Sequence, residues 1–466
     1  MKAFLINPPS GLFVREDRCQ SAVGDFTVSV VRPPMDLMFM ASSLESLDIS
    51  CRIKDYPIEG GDWESFKDDF TKFMPDILII SVTTPTIEKD LHAVRLAKKI
   101  VKNLLTIAKG AHFLEEDQRV LASCKELDVI VRGESELVVK ELLSSSDWSA
   151  IQGITYRVNE RIVRNPAREL LENLDALPLP ARRLVKNHLY PRPDTAEPMA
   201  VIETSRGCPG DCIFCLVGQV SGKKIRLRSV SGIVDEVEGC IREFGIRNFH
   251  FKSDTFTWKK EWVIELCQEI CRRGIKIQWL CNSRVDTLDR QRLEFMKKAG
   301  CWAIGLGVES GNQDILDNIH KGITLAQAQE AVSLCREFGI LSYVYFIIGF
   351  PWDNKETIED SVRFALKLDP DFVDFFLPFP FPGTGLEKIA REQGLFDGQM
   401  PVAAYSQAGL RTASLTREEL MALKKSALAR FYLRPGYILK KFAGAASWRV
   451  RRNYFYHGLK ALRRMR

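Results

Sequence analysis

The chain has 466 residues, of which 45% are hydrophobic and 27% are charged. This balance excludes a disordered chain, and the length exceeds what a single hydrophobic core ordinarily holds. The net charge of +6 is unevenly distributed: no acidic residue follows Glu419 but 13 lysines and arginines do, which leaves the preceding part at −7. The basic character is therefore confined to the C-terminal tail.

The first residues predict a strand and not a secretory signal. Met1–Pro9 contains a short apolar run, two prolines and no small-residue cleavage site. The longest apolar run, Leu341–Phe350, is about half the roughly 20 residues that a membrane-spanning helix needs. We therefore expect a cytoplasmic protein whose 12 cysteines stay reduced, so that a cysteine cluster indicates a metal or catalytic site.

Residues 1–150 alternate short β-rich runs with amphipathic stretches, which predicts a doubly wound parallel α/β sheet of Rossmann-like type. One helix is expected over 86–103, where apolar residues recur on one face. The predicted strands are Ala3–Asn7, Cys51–Tyr56, Ile77–Thr83, Leu105–Lys109 and Val129–Arg132.

Small and polar residues follow three of these strands, where a sheet of this type binds its ligand. Their composition lets a planar or phosphate-bearing ligand approach the backbone, although ordinary loop chemistry explains it equally well. The candidate contacts are Ser81, Thr83, Thr84, Gly110, Gly133 and Glu134.

A hairpin over 153–165 and the proline-rich Leu174–Ala181 form a predicted linker spanning 151–193. A second β/α series over 194–398 predicts a partial (β/α)6 barrel, and 399–466 a basic helical region. The predicted strands of this series are Ala200–Thr204, Asn248–Lys252, Ile277–Leu280, Trp302–Gly307, Leu341–Ile348 and Phe372–Leu377.

Three cysteines lie within eight residues, at Cys208, Cys212 and Cys215, just after the first strand of the second series. Cysteine thiolates are the usual ligands of iron–sulfur clusters. A zinc site is the alternative, but it normally needs a fourth protein ligand, and the available His250 falls inside a predicted strand.

The spacing of three and then two residues between these cysteines resembles the signature of the radical S-adenosylmethionine (SAM) superfamily. The resemblance implies a [4Fe-4S] cluster held by the three cysteines, with one iron open to the amino and carboxylate groups of SAM. An electron from the cluster then cleaves SAM to the 5′-deoxyadenosyl radical.

Later strand ends resemble the family's SAM-binding motifs in chain order. The resemblance places Asp254 at the methionine amine, Arg284 at its carboxylate, Glu309 with Ser310 at the ribose hydroxyls, and Gly349 with Pro351 at the adenine. Taken singly, Arg284 also fits a surface ion pair and Gly349–Pro351 an ordinary strand-ending turn.

The N-terminal half resembles the cobalamin-binding domain that precedes the radical domain in one branch of this superfamily, through segments such as Asn7–Pro9 and Val131–Ser135. The histidine motif that supplies a lower cobalt ligand is missing after the first strand. Asp90-Leu-His92 approaches it, but Arg95 stands where glycine is required, and His92 falls within a helical pattern. The resemblance thus implies cobalamin bound without a histidine ligand.

Together the two halves imply cobalamin-dependent methylation of an unactivated carbon in a small, hydrophobic, lipid-like or tetrapyrrole-like substrate, with a flavodoxin or ferredoxin as electron donor. Cyclisation, coupling or rearrangement without methyl transfer is an alternative within the same branch. A transfer-RNA methylthiotransferase would need a second cluster on Cys19, Cys51 and Cys124, and a non-enzymatic corrinoid or redox sensor would not need the SAM contacts.

The tail after Glu419 interleaves basic and aromatic residues, as in Arg430–Arg434, Tyr437–Phe442 and Trp448–Tyr456. Such mixtures suit an anionic membrane surface, so peripheral contact with the inner face of a membrane is one expectation. A solvated helix that covers the barrel explains the pattern equally well. Nucleic acid is a weaker alternative.

Overall fold

The computed structural model describes residues 1–28, 30–396, 408–443 and 452–453. The chain forms two compact units. The first contains Met1–Ala22, Val31–Leu189 and Gln219–Gly222, and the second contains Val23–Val30, Tyr190–Gly218 and the chain from Lys223 onward.

The first unit is built on a seven-stranded sheet in the order β2-β1-β3-β4-β5-β6-β7. The first five strands are mutually parallel, whereas the last two add antiparallel to β5 as a hairpin. Both central strands, β1 and β3, are apolar and buried, as expected when helices cover both faces of a parallel sheet. The strands are β1 Lys2–Asn7, β2 Ser50–Asp55, β3 Ile77–Ser81, β4 Leu105–Lys109, β5 Val129–Val131, β6 Ile154–Val158 and β7 Arg161–Arg164.

Six helices connect these strands: α1 Met35–Glu45, α2 Tyr56–Glu59, α3 Trp63–Phe73, α4 Ile87–Ile100, α5 Phe113–Ser123 and α6 Val138–Ser144. Helix α3 begins at a capping box in which Asp62 accepts from the Ser65 amide, and it buries Phe66 and Phe70 against Phe4 of β1. The expected doubly wound α/β architecture is confirmed.

The second unit is built on six parallel strands in the order β15-β14-β13-β12-β11-β8. A short antiparallel pair, β9 with β10, stands beside it. This succession of neighbouring parallel strands confirms the expected six-unit partial barrel. The strands are β8 Met199–Glu203, β9 Ser205–Arg206, β10 Arg226–Leu227, β11 Asn248–Lys252, β12 Gln278–Arg284, β13 Cys301–Glu309, β14 Leu341–Ile347 and β15 Phe372–Phe376.

Helices on one face of this sheet bury alternate strand residues such as Val344, Phe346 and Phe375 in a single core. The helices are α7 Val217–Val220, α8 Val230–Phe244, α9 Lys260–Arg272, α10 Arg290–Lys298, α11 Gln313–Asn318, α12 Leu325–Glu337, α13 Lys355–Leu368, α14 Gly385–Glu392, α15 Arg417–Tyr432 and α16 Pro435–Ala443. None of the described helices is both long and apolar enough to cross a membrane.

The outer edge of β15 is covered by the C-terminal helices. The Tyr432 hydroxyl of α15 donates to the Val373 carbonyl oxygen at 2.6 Å and accepts from the Val373 amide at 2.9 Å. This contact satisfies backbone groups that an edge strand would otherwise expose. Most of the predicted basic helical region beyond Ala443 lies outside the described residues.

Candidate functional site

The predicted cofactor contacts of the second unit all lie at or just after the carboxyl ends of parallel strands. The cysteine loop follows β8, Asp254 follows β11, Arg284 ends β12 and Glu309 ends β13. Parallel strands bring these ends to one edge of the sheet, so residues distant in sequence share one site.

The cysteine loop is anchored at both ends by neighbouring loops. The Gly207 amide donates to an Asp254 carboxylate oxygen at 2.7 Å, and the Cys208 sulfur lies 3.4 Å from the Thr255 hydroxyl. Further along, the Ile213 amide donates to the Ile319 carbonyl oxygen at 3.2 Å. The loop is therefore held in shape by the protein itself.

Gly210 lies at the centre of the loop and keeps a small space open between the sulfurs. A Cβ atom there would stand 3.4 Å from the Cys208 sulfur, 3.9 Å from the Cys212 sulfur and 3.3 Å from Nη1 of Arg284. Two thiols and a guanidinium thus border the same point.

Burial and charge act in opposite directions on these thiols. Burial raises the pKa of Cys215 to about 12 and also raises the pKa of Cys212, although the nearby Lys321 and Arg284 cations oppose the shift at Cys212. Bound iron would replace the thiol protons, and the two cations would offset part of the negative charge of the resulting thiolates.

Within the described part of the chain, no three His, Cys, Asp or Glu side chains are grouped closely enough to hold one metal ion. An iron–sulfur cubane places a different demand on its ligands, because each cysteine binds a separate iron atom. A zinc ion shared with His250 is not favoured, because His250 lies inside β11.

Arg284 is fixed by three hydrogen bonds. Its Nε and Nη2 atoms each donate to the Asp286 carboxylate at 2.9 Å, and Nη2 also donates to the Lys321 carbonyl oxygen at 2.8 Å. Burial alone would lower the pKa of Arg284, but the bonds and charge of Asp286 outweigh it and raise that pKa. The edge of the guanidinium formed by Nε and Nη2 is thus already bonded to Asp286, and the Nη1 side faces the cysteine loop.

Glu309 and Lys321 form a buried ion pair beside the cysteines, with Nζ and Oε1 2.6 Å apart. Burial would lower the pKa of Lys321, but the Glu309 and Cys212 charges raise it. Glu309 also has φ of +71°, next to a register shift between β13 and β14, and such backbone conformations concentrate at functional sites.

Lys321 was not identified from the sequence. It follows α11 as an isolated lysine before Gly322, and no motif or spacing marks it. Its only sequence-level signal is its position in a loop close after the Glu309 strand end.

The Ser310 side chain bonds to residues outside the cysteine loop. Its hydroxyl lies 3.2 Å from that of Ser361 in α13 and accepts from the Asn312 amide at 3.1 Å. Asp254, by contrast, bonds to the start of the cysteine loop, because its carboxylate accepts from the Gly207 amide.

The turn Gly349–Pro351 follows β14 and contacts the cysteine loop through Phe350, whose ring lies 5.5 Å from that of Phe214. The Gly349 and Phe350 amides both donate to Asp353, at 2.8 and 2.9 Å. Gly349 has φ of +101°, which favours glycine. Asp353 therefore fixes the shape of this turn.

In the first unit, four of the predicted cobalamin contacts already contact other groups of the protein. Ser81 donates to Asp36, the Thr84 amide donates to Gln20, and a Cβ on Gly110 would stand 2.2 Å from the Val82 carbonyl oxygen. The Thr83 hydroxyl lies 2.6 Å from that of Thr86. These four strand-end positions form internal contacts.

The remaining two predicted contacts border a cavity of about 530 Å³. Gly133 has φ of +77° and open space where a Cβ would stand, and Glu134 accepts from the Leu171 amide at 2.8 Å. His92 is exposed on α4, where its ring meets that of Trp63 at 4.7 Å, which is the helix-face arrangement favoured by its sequence context.

A cysteine loop held in shape at the strand ends of a parallel sheet is the arrangement expected of an iron–sulfur enzyme. Residues 202–365 match the model of the radical SAM superfamily. An uncharacterized methyltransferase of Pyrococcus horikoshii is 32% identical over 447 residues, covering 94% of each chain. The chain belongs to the radical SAM superfamily, whose enzymes use a [4Fe-4S] cluster and SAM.

Other relatives share much of the chain. The anaerobic magnesium-protoporphyrin IX monomethyl ester cyclase of Cereibacter sphaeroides is 29% identical over 85% of this chain and 66% of its own. Among solved structures, the methyltransferase TsrM of Kitasatospora setae has a TM-score of 0.69 at 19% identity, covering 84% of this chain and 76% of its own. The cobalamin-dependent radical enzyme OxsB has a TM-score of 0.73 at 16% identity, covering 100% and 71%. At these identities the two structures establish the shared fold.

Proposed function

We propose that this protein cleaves SAM at a cluster held by Cys208, Cys212 and Cys215 and uses the resulting radical to methylate an unactivated carbon with the help of a corrinoid. The observation that carries the proposal is the convergence of two cysteine sulfurs and the Arg284 guanidinium around Gly210. The bound cluster would supply the electron that cleaves SAM.

The surrounding side chains have roles that follow from their charge and position. Arg284 and Lys321 lower the electrostatic cost of thiolates at Cys212, and Asp286 keeps Arg284 oriented. The Nη1 side of Arg284 is the edge we assign to the methionine carboxylate of SAM, as a single contact and not as a bidentate pair.

Glu309 is assigned to the ribose hydroxyls of SAM, for which a carboxylate is a suitable acceptor. Its pairing with Lys321 fixes the carboxylate before SAM arrives. The turn Gly349–Pro351 is assigned to the adenine, and Asp353 is the residue that positions it.

The corrinoid part of the proposal has two supports. The fold matches those of TsrM and OxsB, and structures of both are described with cobalamin bound. In this chain the open space at Gly133 offers room for a ligand at a strand end. The corrinoid would supply the methyl group. The segment between β1 and β2 contains no histidine that could act as its lower ligand.

A small hydrophobic substrate is inferred from named relatives, including a hopanoid C-3 methylase of Methylococcus capsulatus that is 27% identical over 86% of this chain. The cyclase relative favours a second candidate, a radical cyclisation without methyl transfer. A flavodoxin or ferredoxin is the proposed electron donor.

The two candidates differ in their SAM-derived products. Radical cleavage yields 5′-deoxyadenosine, whereas donation of a methyl group leaves S-adenosylhomocysteine. After anaerobic reconstitution with iron, sulfide and hydroxocobalamin, we expect both products in the presence of extracted lipids and pigments. Formation of 5′-deoxyadenosine alone would favour the cyclisation, and formation of neither would contradict both.

Corrinoid binding is tested separately by the cobalt content and visible spectrum of the reconstituted protein after gel filtration. We expect about one corrinoid per chain, with a spectrum typical of cobalt that lacks a nitrogen lower ligand. Failure to retain cobalt would remove the corrinoid from the proposal and leave the SAM chemistry intact.

The contacts of Cys19, Cys51 and Cys124 do not favour the methylthiotransferase alternative. The Cys51 sulfur lies against the Ala41 and Ile49 carbonyl oxygens, Cys19 lies against Ser21, and Cys124 is buried behind α5. We expect about four irons per chain, whereas a second cluster would give about eight.

A further inference from the structure

The end of the second unit opposite the cysteine loop exposes apolar side chains on its C-terminal helices. Leu433 after α15 is 46% exposed, and Ile438 and Leu439 of α16 are 41% and 70% exposed. The three residues fall within seven residues of the chain, and clustered exposed apolar side chains often mark interaction surfaces. We name Ile438 and Leu439, together with Leu433 in the connection that precedes the helix, the apolar face of α16.

Contacts with the strands fix where this face lies. The Tyr437 hydroxyl donates to the Asp371 carbonyl oxygen and Lys441 Nζ donates to the Asp371 carboxylate, both at 2.8 Å. Asp371 directly precedes β15, so α16 packs at the amino end of that strand. The helix that carries the apolar face therefore lies at the amino end of β15, whereas the cysteine loop lies at the carboxyl ends of the strands.

A second piece of the tail reaches the same end of the sheet. The Asn453 side-chain amide donates to the Asp194 carbonyl oxygen at 2.6 Å, and Asp194 lies shortly before β8. Arg452 beside it is exposed. The described parts of the tail thus meet the amino ends of both outer strands, β8 and β15.

The charge of the tail is of one sign. From Leu420 to Lys441 there are six lysines and arginines and no acidic residue, and the whole stretch after Glu419 contains 13 basic residues and no acidic one. Ion pairs with Asp369, Asp371 and Glu359 offset the charges of Arg434, Lys440, Lys441 and Arg430, and Lys424 lies near Asp25 and Asp374. Lys425 and the seven basic residues after Lys441, with no acidic residue among them, keep the net charge of the tail positive, so a partner of negative charge is favoured.

We propose that the apolar face of α16, together with the net positive charge of the tail, docks the enzyme on an anionic lipid bilayer with the cysteine-bearing strand ends directed away from the membrane. Aliphatic side chains would enter the interface between headgroups and acyl chains, and the basic residues would meet anionic headgroups. A nucleic acid would be attracted by the same charge but offers little burial for leucine and isoleucine. The lipid surface is therefore the partner that accounts for both features.

The experiment measures sedimentation of the full-length protein with vesicles of phosphatidylcholine alone or mixed with phosphatidylglycerol. We expect binding to the anionic vesicles that weakens as salt is raised. The double variant Ile438→Gln, Leu439→Gln should reduce the partition coefficient about tenfold or more, because two aliphatic side chains no longer enter the interface. Leu179→Gln, at a position that is 59% exposed in the first unit, should have no effect.

Equal partition of the double variant and the unaltered protein would overturn the assigned face, as would binding to phosphatidylcholine alone that matches binding to the anionic mixture. The assignment would also be overturned, in favour of nucleic acid, by two results together: single-stranded RNA displaces the protein from the vesicles, and the double variant still binds the RNA. Circular dichroism and iron content serve as folding controls. The result does not depend on catalysis, so it separates this proposal from the proposed function.

Discussion

At the scale of single residues, the space beside the cysteine sulfurs depends on the absence of a side chain at Gly210. A Cβ atom there would lie 3.4 Å from the Cys208 sulfur and 3.3 Å from Nη1 of Arg284. The contact with Cys208 is an ordinary van der Waals contact, whereas the Arg284 guanidinium would have to shift by a few tenths of an ångström. A side chain at this position is therefore expected to displace Arg284 and to narrow the space beside the two sulfurs.

The variant Gly210→Ala tests this expectation. Overpacking of about 1 kcal/mol, at the low end of the usual range because the end of Arg284 can shift, should lower the affinity of the loop for the cluster by roughly fivefold. Iron and sulfide content after anaerobic reconstitution measures the effect. Gly218→Ala is the matched control, because no atom lies within 4 Å of its added Cβ, and unchanged iron in both variants would contradict the packing argument.

Arg284→Lys tests the guanidinium. Lysine cannot reproduce the two bonds to Asp286 together with the bond to the Lys321 carbonyl oxygen, and each charge-assisted hydrogen bond contributes about 1.5–3 kcal/mol. We expect formation of 5′-deoxyadenosine to fall by at least about tenfold while iron is retained. Arg290→Lys, in an exposed pair with Glu337, should leave the rate unchanged. An active Arg284→Lys enzyme would show that the geometry of this side chain is unimportant.

At the scale of secondary-structure elements, a buried carboxylate joins the segment Val23–Val30 to the six-stranded sheet. Asp374 of β15 accepts hydrogen bonds from the Thr27 amide at 3.0 Å, from the Thr27 hydroxyl and from the Tyr343 hydroxyl. Burial raises the pKa of Asp374 to about 6, although these donors oppose the shift. The segment is therefore held by a group that ionises near neutral pH.

The raised pKa predicts how stability depends on pH. An unfolded aspartate ionises near 3.8, so between about pH 4 and 6 the folded state binds more protons, and the free energy of unfolding falls as pH rises. A shift of this size corresponds to about 3 kcal/mol. Burial also raises the pKa of Asp353 to about 6, which adds a second contribution of the same sign.

In the variant Asp374→Asn, the free energy of unfolding should fall less steeply between about pH 4 and 6, because the contribution of Asp374 is lost. Urea unfolding at several pH values between 4 and 7 measures it. Asp314→Asn, at an exposed position of α11, controls for the loss of one negative charge. A variant whose stability still falls as steeply as that of the unaltered protein would contradict the assignment to Asp374.

The strands and most helices were predictable because their apolar periodicity is local. The predicted helix over 86–103 is found as α4, Ile87–Ile100, and the run Leu341–Ile348 as β14. The association of Val23–Val30 with the second unit was not predictable, because it depends on the contact between Thr27 and Asp374, 347 residues apart. No local pattern carries that information.

The same distinction applies to the site. The cysteine spacing is a local signal, so the loop was recognised directly, and successive strand ends placed Asp254, Arg284 and Glu309 at one edge. Lys321 was missed because its role arises only when the chain after α11 returns to the Glu309 strand end. The hydrogen bond that Arg284 donates to Asp286 likewise depends on side-chain positions, which the sequence does not give.

At the scale of the whole molecule, two sheets carry two sets of strand ends. The first unit has the strand order of a doubly wound fold that reverses direction beside β1, and the second has six neighbouring parallel strands. Each arrangement offers a ligand site at the carboxyl ends of its strands. The proposed reaction, which combines SAM cleavage with a corrinoid, would need two such sites.

The central claim is that Cys208, Cys212 and Cys215 hold one [4Fe-4S] cluster, and Mössbauer spectroscopy of iron-57-labelled protein prepared without oxygen tests it most directly. We predict the signal of a single cubane in the unaltered protein and in Cys271→Ala, which removes an exposed cysteine elsewhere. The signal should be lost or strongly reduced in Cys212→Ala. Absence of a cubane in the unaltered protein, or an unchanged spectrum in Cys212→Ala, would contradict the account.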